Sequence, residues 1–158
     1  MSSTAPFALT IVRAGGDELD EVMAIMGAAF DRLFGEAWTR AQVAGILPMT
    51  GVTLLVARHG GDAIGFSLAR RAADEAELLL IAVHPDAAGH GVGGQLLDRF
   101  VADQRAAGAS HLHLEVRDGN PAVFLYRSRG FAIAGRRSNY YRGTDGELFD
   151  ALTMVLSR

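Results

Sequence analysis

Residues 77–97 read ELLLIAVHPDAAGHGVGGQLL, and this stretch of the chain determines the predicted fold class. The segment Glu77–His84 is an almost continuous apolar run, which is typical of a β-strand buried on both faces. Four glycines follow Pro85, and an apolar stripe at helical spacing begins at Val92 and ends before Gly108. A buried strand, a glycine-rich loop and a helix in this order predict the central β-α-β crossover of an α/β domain.

Hydrophobic periodicity on both sides of this stretch predicts the remaining elements. The predicted strands cover residues 7–13, 52–58, 63–71, 77–84, 111–117, about 131–137 and about 148–157. The predicted helices cover residues 17–30, 38–47, 95–107 and 120–128. Turn residues at 60–62 and 142–146 indicate hairpins between neighbouring strands. We therefore expect an α/β fold whose sheet is mixed and mostly antiparallel, with one central parallel crossover.

Composition limits the possible chemistry. The chain has 158 residues, 49% hydrophobic and 21% charged, so we expect one globular domain over residues 1–158. A net charge of −3 without a block of like charges argues against binding to nucleic acid or to an anionic membrane. The chain contains no cysteine and no lysine, which excludes thiol nucleophiles, thiolate metal sites and lysine Schiff bases.

The N-terminal sequence indicates no targeting segment. No basic segment precedes the apolar stretch Phe7–Val12, which is itself too short for a signal peptide. No part of the chain approaches the roughly 20 apolar residues of a membrane span. The sequence therefore predicts a cytoplasmic protein.

The glycine run is the first candidate for a binding site. Gly89, Gly91, Gly93 and Gly94 precede a helix, where uncovered backbone N–H groups and the helix dipole favour a phosphate or pyrophosphate. A plain flexible loop is the alternative. A Rossmann-type nucleotide or methyl-donor site is another, because Glu115 follows at roughly the 20-residue offset of a ribose-binding acid. Against it, five residues separate the strand from the first glycine, and the motif follows four predicted strands.

Glu115 and Tyr126 are the candidates for proton transfer. Glu115 lies within an alternating, half-buried strand, where desolvation raises a carboxylate pKa toward the range of a general base. A surface glutamate is the alternative, and so is a metal site, because His111 and His113 share the face of Glu115. The phenol of Tyr126 can protonate a departing thiolate, although an aromatic at this position can also be ordinary core.

Three segments carry a resemblance to a known family. IAVHPDAAGHGVGGQLL (81–97), LHLEVRDGN (112–120) and FLYRSRGF (124–131) resemble motifs of the Gcn-five-related N-acetyltransferase (GNAT) family. AELLLIAVHP (76–85), GRRSNYYRG (135–143) and DALTMVL (150–156) are similar to its RimI subfamily, which acetylates the N-terminal alanine of a ribosomal protein. The resemblance covers most of the chain. It implies a GNAT fold and direct acetyl transfer from acetyl-CoA to a primary amine, without a metal or an acyl-enzyme.

The resemblance also implies roles for individual residues. Glu115 is expected to be the base, directly or through water, Tyr126 the acid, and the Val83 N–H the donor to the oxyanion. The groups expected to bind acetyl-CoA are those of Ile81, Ala82, Val83, Gly89, His90, Gly91, Val92, Gly93, Gly94 and Asn120. Trp38, within the segment 34–38, and the pair Tyr140 and Tyr141 are expected to flank the acceptor, with plain loop packing as the alternative.

Two residues depart from the family pattern. Ala88 stands where the family usually has Gln or Arg, so one side-chain contact to the pyrophosphate is expected to be missing. Phe124 replaces a small residue and is expected to narrow the site. The implied acceptor is the N-terminal α-amine of a ribosomal or other protein. A small-molecule amine, a lysine side chain, a Rossmann-type nucleotide module and a His/Glu metal enzyme stay open as alternatives.

Overall fold

The computed structural model describes residues 7–156 and contains seven strands and four α-helices in that range. The strands are β1 Thr10–Ala14, β2 Val52–His59, β3 Asp62–Ala72, β4 Glu75–Val83, β5 His111–Arg117, β6 Phe131–Arg142 and β7 Leu148–Leu156. The helices are α1 Leu19–Ala29, α2 Arg40–Ile46, α3 Val92–Ala106 and α4 Ala122–Ser128. Short 3-10 turns occur at Gly16–Glu18, Arg32–Phe34 and Pro85–Ala87. The predicted order of strands and α-helices is confirmed.

The boundaries differ from the prediction mainly at three places. Strand β1 begins at Thr10, three residues after the predicted start at Phe7. Helix α3 begins at Val92, three residues before the predicted start, because Gly91 adopts a left-handed conformation and serves as its N-cap. Strand β6 continues to Arg142 because a register shift between Arg137 and Tyr141 lets it resume pairing with β7. Asn139, with φ of 53°, lies inside that irregularity. Residue 157, at the predicted end of the last strand, lies outside the described residues.

The strands form one mixed sheet in the order β1-β2-β3-β4-β5-β7-β6. Only the β4–β5 pair is parallel among the described strands, and α3 connects these two strands. The other neighbouring strands pair antiparallel. The predicted sheet with one central parallel crossover is thus confirmed.

Helices cover both faces of the sheet. On one face, α1 and α2 contribute Val22, Ile25 and Val43 to a core that includes Phe66 and Leu80. On the other face, α3 and α4 pack over a second core, whose buried members include Leu97, Phe100, Leu114, Tyr126 and Met154. None of the helices between residues 7 and 156 is long and apolar enough to cross a membrane.

A bulge separates the ends of β4 and β5. Strand β3 pairs Leu68 with Leu80 and Ala69 with Leu78, so Leu79 is an extra residue on β4. Parallel pairing of β4 with β5 ends at Leu78 and Leu114, although both strands continue beyond that point. A bulge bends its strand and increases the local twist. The sheet therefore opens into a gap between the C-terminal halves of β4 and β5.

The backbone of segment 31–38 packs directly against the connection between β6 and β7. A side chain at Gly35, which has φ of 68°, would collide with the Arg142 carbonyl, and one at Gly143 would collide with the Leu33 carbonyl. The Thr144 N–H donates to the Arg32 carbonyl at 3.3 Å. Because the two backbones touch, this segment and the end of β6 form a joint wall.

Candidate active site

The open edge of β4 presents backbone groups to the gap. The His84 N–H donates to the Ile64 carbonyl at 2.8 Å, which makes His84 and Ile64 a hydrogen-bonded antiparallel pair. Such pairs alternate along the strands, so the groups of Ala82 also point toward β3. The N–H and C=O groups of Ile81 and Val83 point the other way. Two of the three predicted strand residues thus face the gap, and Ala82 lies between them.

The glycine loop meets the first turn of α3 beside this gap. Gly89 and Gly91 have φ of 83° and 75°, and a β-carbon at either position would meet no atom within 4 Å. The first backbone bond of α3 runs from the Gln95 N–H to the Gly91 carbonyl at 3.0 Å. The preceding N–H groups are therefore without an intrahelical acceptor and can bind an anion.

The other loop residues contribute mainly through their backbone. Val92 is a core residue in a cluster with Leu96, so its side chain is turned away from the loop surface. Gly93 lies against Leu125 and Val83, where a β-carbon would be 3.4 Å and 3.7 Å from their side chains. Gly94 packs directly against the guanidinium of Arg129. His90 is exposed and its ring stacks on Phe7 at a centroid distance of 4.2 Å.

A cavity of about 110 Å³ occupies the gap between β4 and β5. Seven of the predicted site residues line it, from both strands, from α4 and from the joint wall: Trp38, Ile81, Glu115, Asn120, Tyr126, Tyr140 and Tyr141. Ala82, Val83 and residues 89–94 do not line it. They form the adjoining edge and loop instead, so the proposed oxyanion donor is better placed at Ile81 than at Val83.

Glu115 is held in one orientation on the wall of this cavity. Its side chain is only 7% exposed, so the interpretation as a surface glutamate is wrong. One carboxylate oxygen accepts from the Thr153 hydroxyl at 2.8 Å, and the other lies 3.1 Å from Nε of Arg137. Sequence reasoning missed Thr153 and Arg137 because Thr153 meets Glu115 only through the pairing of β5 with β7, and Arg137 reaches Glu115 from β6, on the far side of β7.

Tyr126 is buried, yet it lines the cavity. Burial, with a smaller contribution from the negative charge of Glu36, raises the pKa of its phenol well above the usual value. The phenol therefore stays protonated throughout the neutral range and can donate. Its ring also packs edge-on against the Phe131 ring, with a centroid distance of 6.2 Å. Tyr126 therefore has a packing role in addition to its hydroxyl at the cavity.

The three predicted acceptor-flanking residues share the cavity wall but differ in exposure. Tyr140 is 49% exposed, whereas Trp38 is partly buried against the first core. Burial, then the charge of Glu36, raises the pKa of the Tyr141 phenol above the usual value. The rings of Tyr140 and Tyr141 pack edge to face, with a centroid distance of 4.9 Å. Trp38, Tyr140 and Tyr141 thus give the cavity an aromatic wall.

Glu36 is a cavity residue that sequence reasoning did not single out. Its side chain is 10% exposed and lies 3.0 Å from Nε of Arg117, which is 9% exposed. Arg117 also stacks over the Phe34 ring at 3.7 Å. The segment 34–38 was predicted to flank the acceptor, but no spacing in it marks Glu36, because its partner lies 81 residues away.

Asn120 connects Glu36 to helix α4. Its Oδ1 accepts from the Ala122 N–H at 2.9 Å, so the side chain satisfies the first backbone donor of the helix. Its Nδ2 donates to Glu36 at 2.6 Å. Phe124, in contrast, is 76% exposed and lines a separate groove between α4 and β6. The expectation that Phe124 narrows the site is wrong, because the helix turns that side chain away from the cavity.

The histidines suggested for a metal site have separate partners. His111 lies 3.7 Å from Asp74, and His113 lies 3.8 Å from Glu77, whereas Glu115 contacts Thr153. In the part of the chain from residue 7 to residue 156, no cluster of three or more His, Asp or Glu side chains could hold a metal ion. The shared face of strand β5 therefore does not bring these three side chains to one point.

Comparison with known proteins decides the family. Residues 50–133 match the model of the acetyltransferase (GNAT) domain. The chain belongs to the GNAT acetyltransferase family. The ribosomal-protein-S18-alanine N-acetyltransferase from Escherichia coli has a similar structure, with a TM-score of 0.84 and 32% identity. The alignment covers 94% of this chain and 93% of that structure. Acetyl-CoA is the acetyl donor of GNAT enzymes.

Two curated relatives show the range of acceptors among similar sequences. The [ribosomal protein bS18]-alanine N-acetyltransferase of Escherichia coli (strain K12) is 41% identical over 99 residues, covering 62% of this chain and 66% of the relative. The streptothricin acetyltransferase of Streptomyces lavendulae is 40% identical over 108 residues, covering 66% of this chain and 57% of that enzyme. The chain thus aligns with about two thirds or less of these relatives.

The GNAT assignment also settles the nucleotide-binding alternative. A Rossmann-type module needs a doubly wound, mostly parallel sheet with its glycines in a tight first turn. Here only β4 and β5 pair in parallel within the described part of the sheet, and the 3-10 turn Pro85–Ala87 precedes the glycines. That alternative is wrong, whereas the open strand edge, the glycine loop and the cavity fit an elongated thioester donor.

The buried pair Glu36–Arg117 leads to a stability prediction. Arg117→Met leaves the Glu36 carboxylate buried without its cation, which we expect to cost about 3–5 kcal/mol in the free energy of unfolding. Adding Glu36→Gln to that variant removes the stranded charge and is expected to restore part of the loss, as measured by urea denaturation. Arg136→Met is the control, since Arg136 is 50% exposed and solvent screens its ion pairs, so we expect a much smaller loss of stability. Strictly additive effects of the two changes would contradict the coupling.

Proposed function

We propose that this enzyme transfers the acetyl group of acetyl-CoA to the N-terminal α-amine of a protein, with alanine as the preferred first residue. The observation that carries the proposal is the cavity between β4 and β5, where Glu115 and Tyr126 reach one space from different elements. The similarity to bS18-alanine N-acetyltransferases supports the choice of acceptor. Because the proposed acceptor is a ribosomal protein, we expect the reaction to take place in the cytoplasm. We also propose that residues 1–158 form a single catalytic domain.

The donor is proposed to lie along the open edge of β4. The backbone groups of Ile81 and Val83 hydrogen-bond the pantetheine arm as an added strand would, and Ala82 sets their spacing. The pyrophosphate binds at the backbone N–H groups of residues 89–94, including those of His90 and Val92. Asn120, which lines the neighbouring cavity, is also proposed to contact the donor. Ala88 contributes no polar side chain, so the backbone carries the anion binding.

Glu115 is proposed to accept the proton of the attacking amine. The amine nitrogen forms a bond to the acetyl carbonyl carbon, and its proton passes to the carboxylate directly or through one water. The N–H of Ile81 donates to the oxygen that becomes negative in the tetrahedral intermediate. Thr153 and Arg137 keep the carboxylate oriented throughout, because each already contacts one of its oxygens.

Tyr126 is proposed to protonate the departing thiolate. When the carbon–sulfur bond breaks, the electron pair stays on sulfur, and the phenol supplies the proton. Its raised pKa ensures that the phenol carries that proton at neutral pH. The chain has no cysteine to form an acyl-enzyme, which fits direct transfer between the two substrates.

The acceptor end of the cavity favours an α-amine over a lysine side chain. An α-ammonium has a pKa of about 7.7–8.0 and a lysine about 10.4, so neutralising lysine at neutral pH costs roughly 3–4 kcal/mol more. Trp38, Tyr140 and Tyr141 are proposed to enclose the first residue of the acceptor, on the wall of the cavity that Glu115 also lines. Lysine remains an alternative acceptor in the test below.

A small-molecule amine is the second candidate acceptor. The similarity to streptothricin acetyltransferase supports it, since the aligned parts are 40% identical. The cavity of about 110 Å³ admits one small side chain, which is compatible with either a compact amine or the first residue of a peptide. The two candidates differ in whether residues beyond the first increase kcat/KM.

The Glu115→Gln variant tests the base. We expect unchanged affinity for acetyl-CoA and a turnover lower by about 10²–10⁴-fold at neutral pH. The loss should shrink as the pH rises, because more of the amine is already neutral. Steady-state kinetics and calorimetric binding of acetyl-CoA measure both. The exposed Glu75, changed to Gln, is the control on a neighbouring strand. Normal turnover of Glu115→Gln at neutral pH would remove this residue from the mechanism.

The Tyr126→Phe variant tests the acid. It keeps the ring and deletes the hydroxyl, so we expect slower transfer with little change in thermal midpoint. Since burial raises the phenol pKa above its usual value of about 10, the fold-loss should be constant between about pH 7 and 9. Rate profiles and thermal unfolding provide the measurement. A large fall in midpoint with a proportionate loss of activity would instead indicate a packing residue only.

Acceptor peptides test the proposed function as a whole. Peptides beginning with Ala, and less strongly Ser, should be acetylated at the α-amine, whereas the same peptides with a blocked N-terminus and an internal lysine should not. Mass spectrometry locates the acetyl group. Comparable rates on the blocked peptide would favour a lysine acceptor, and turnover of small amines alone would favour the second candidate.

A further inference from the structure

The described N-terminal residues contact the glycine loop through aromatic rings. The Phe7 ring stacks on His90 with a centroid distance of 4.2 Å and an interplanar angle of 18°. Its other neighbour is the His59 ring, at 4.1 Å and 13°. We call His59, Phe7 and His90 the ring stack. It joins the end of β2, the chain before β1 and the loop before α3.

The ring stack has a fixed end and a loosely packed end. His59 Nδ1 lies 2.6 Å from the Ala8 carbonyl, and since a carbonyl only accepts, Nδ1 carries the hydrogen and donates it. Phe7 also packs against the third core cluster, which contains Val92 and Leu96. At the other end, His90 is exposed and lies between two left-handed glycines. A side chain on either glycine would meet nothing within 4 Å.

Such a loop loses conformational freedom when its N–H groups converge on an anion. Glycine has more backbone freedom to lose than any other residue, so Gly89 and Gly91 make the ordering costly. A contact that already restrains His90 reduces this cost before binding, which increases affinity without touching the ligand. The stacked Phe7 is such a contact, because it attaches the middle of the loop to the rim of the sheet.

We infer that Phe7 is a positioning residue for donor binding, which holds the loop at His90 in the conformation that accepts the pyrophosphate of acetyl-CoA. The inference rests on the proposed function. It assigns to Phe7 an effect on the diphosphate part of the donor alone, since the ring stack does not line the cavity between β4 and β5. Binding of the pantetheine arm at Ile81 and the proton-transfer steps should not depend on Phe7.

The test compares two acetyl donors, one with the diphosphate and one without. For Phe7→Ala we expect the Kd of acetyl-CoA, measured by calorimetry, to rise about tenfold, which corresponds to about 1.4 kcal/mol. The kcat at saturating acetyl-CoA should stay unchanged. With acetylpantetheine, which lacks the diphosphate, kcat/KM should be the same as in the unaltered protein. Hydrogen exchange at residues 89–91 should become faster.

Two further variants separate positioning from general packing. Phe7→Tyr keeps a stacking ring and should restore the affinity for acetyl-CoA. Leu9→Ala removes another residue that packs on the third core cluster and should leave the ratio of the two donors unchanged. An unaltered Kd in Phe7→Ala, or an equal loss with both donors, overturns the inference. Failure of the unaltered protein to bind acetyl-CoA would instead overturn the proposed function.

Discussion

Parallel pairing between β4 and β5 stops at Leu78 and Leu114. The cause is the extra residue Leu79, which bends β4, while β5 continues to Arg117. The bulge has a second effect, since an inserted residue exchanges the faces of the strand. Before it, Leu78 belongs to the core under α3, and after it Leu80 belongs to the core under α1. The same bulge thus supplies a gap, an unpaired edge and a cavity wall.

A buried ion pair closes the acceptor side of that gap. Arg117 ends β5, and its buried charge is compensated mainly by Glu36 and the Phe34 ring, with a further hydrogen bond to the Asp118 carbonyl at 3.3 Å. Asn120 holds the other oxygen of Glu36 and caps α4 at once. Because α4 carries Tyr126, the position of the proposed acid depends on the segment that borders the acceptor. The acceptor wall and the helix that carries the proposed acid are therefore connected through Asn120.

Local patterns were sufficient to predict most of the fold. Alternation marked β5, continuous apolarity marked β4, and Gly91 followed by an apolar stripe marked the start of α3 within three residues. The bulge at Leu79 was not predictable, because it exists only as a shift in register against β3. The sequence did not predict Glu36, Thr153 and Arg137 as site residues, for a related reason. Each meets its partner across the sheet or across a long loop, and no spacing in the sequence encodes such contacts.

The geometry of the gap explains why direct transfer suits this fold. In the proposed mechanism acetyl-CoA lies along the unpaired strand edge and the acceptor lies against the joint wall of the segment 31–38 and the end of β6, so the two substrates need not exchange places. A covalent intermediate on the enzyme is not needed when both substrates can be bound at once. With both present, the amine and the thioester are held together, and proximity supplies much of the rate enhancement. In this mechanism the protein supplies one acceptor and one donor of protons, and Glu115 and Tyr126, which line the same cavity, are the residues proposed for these roles.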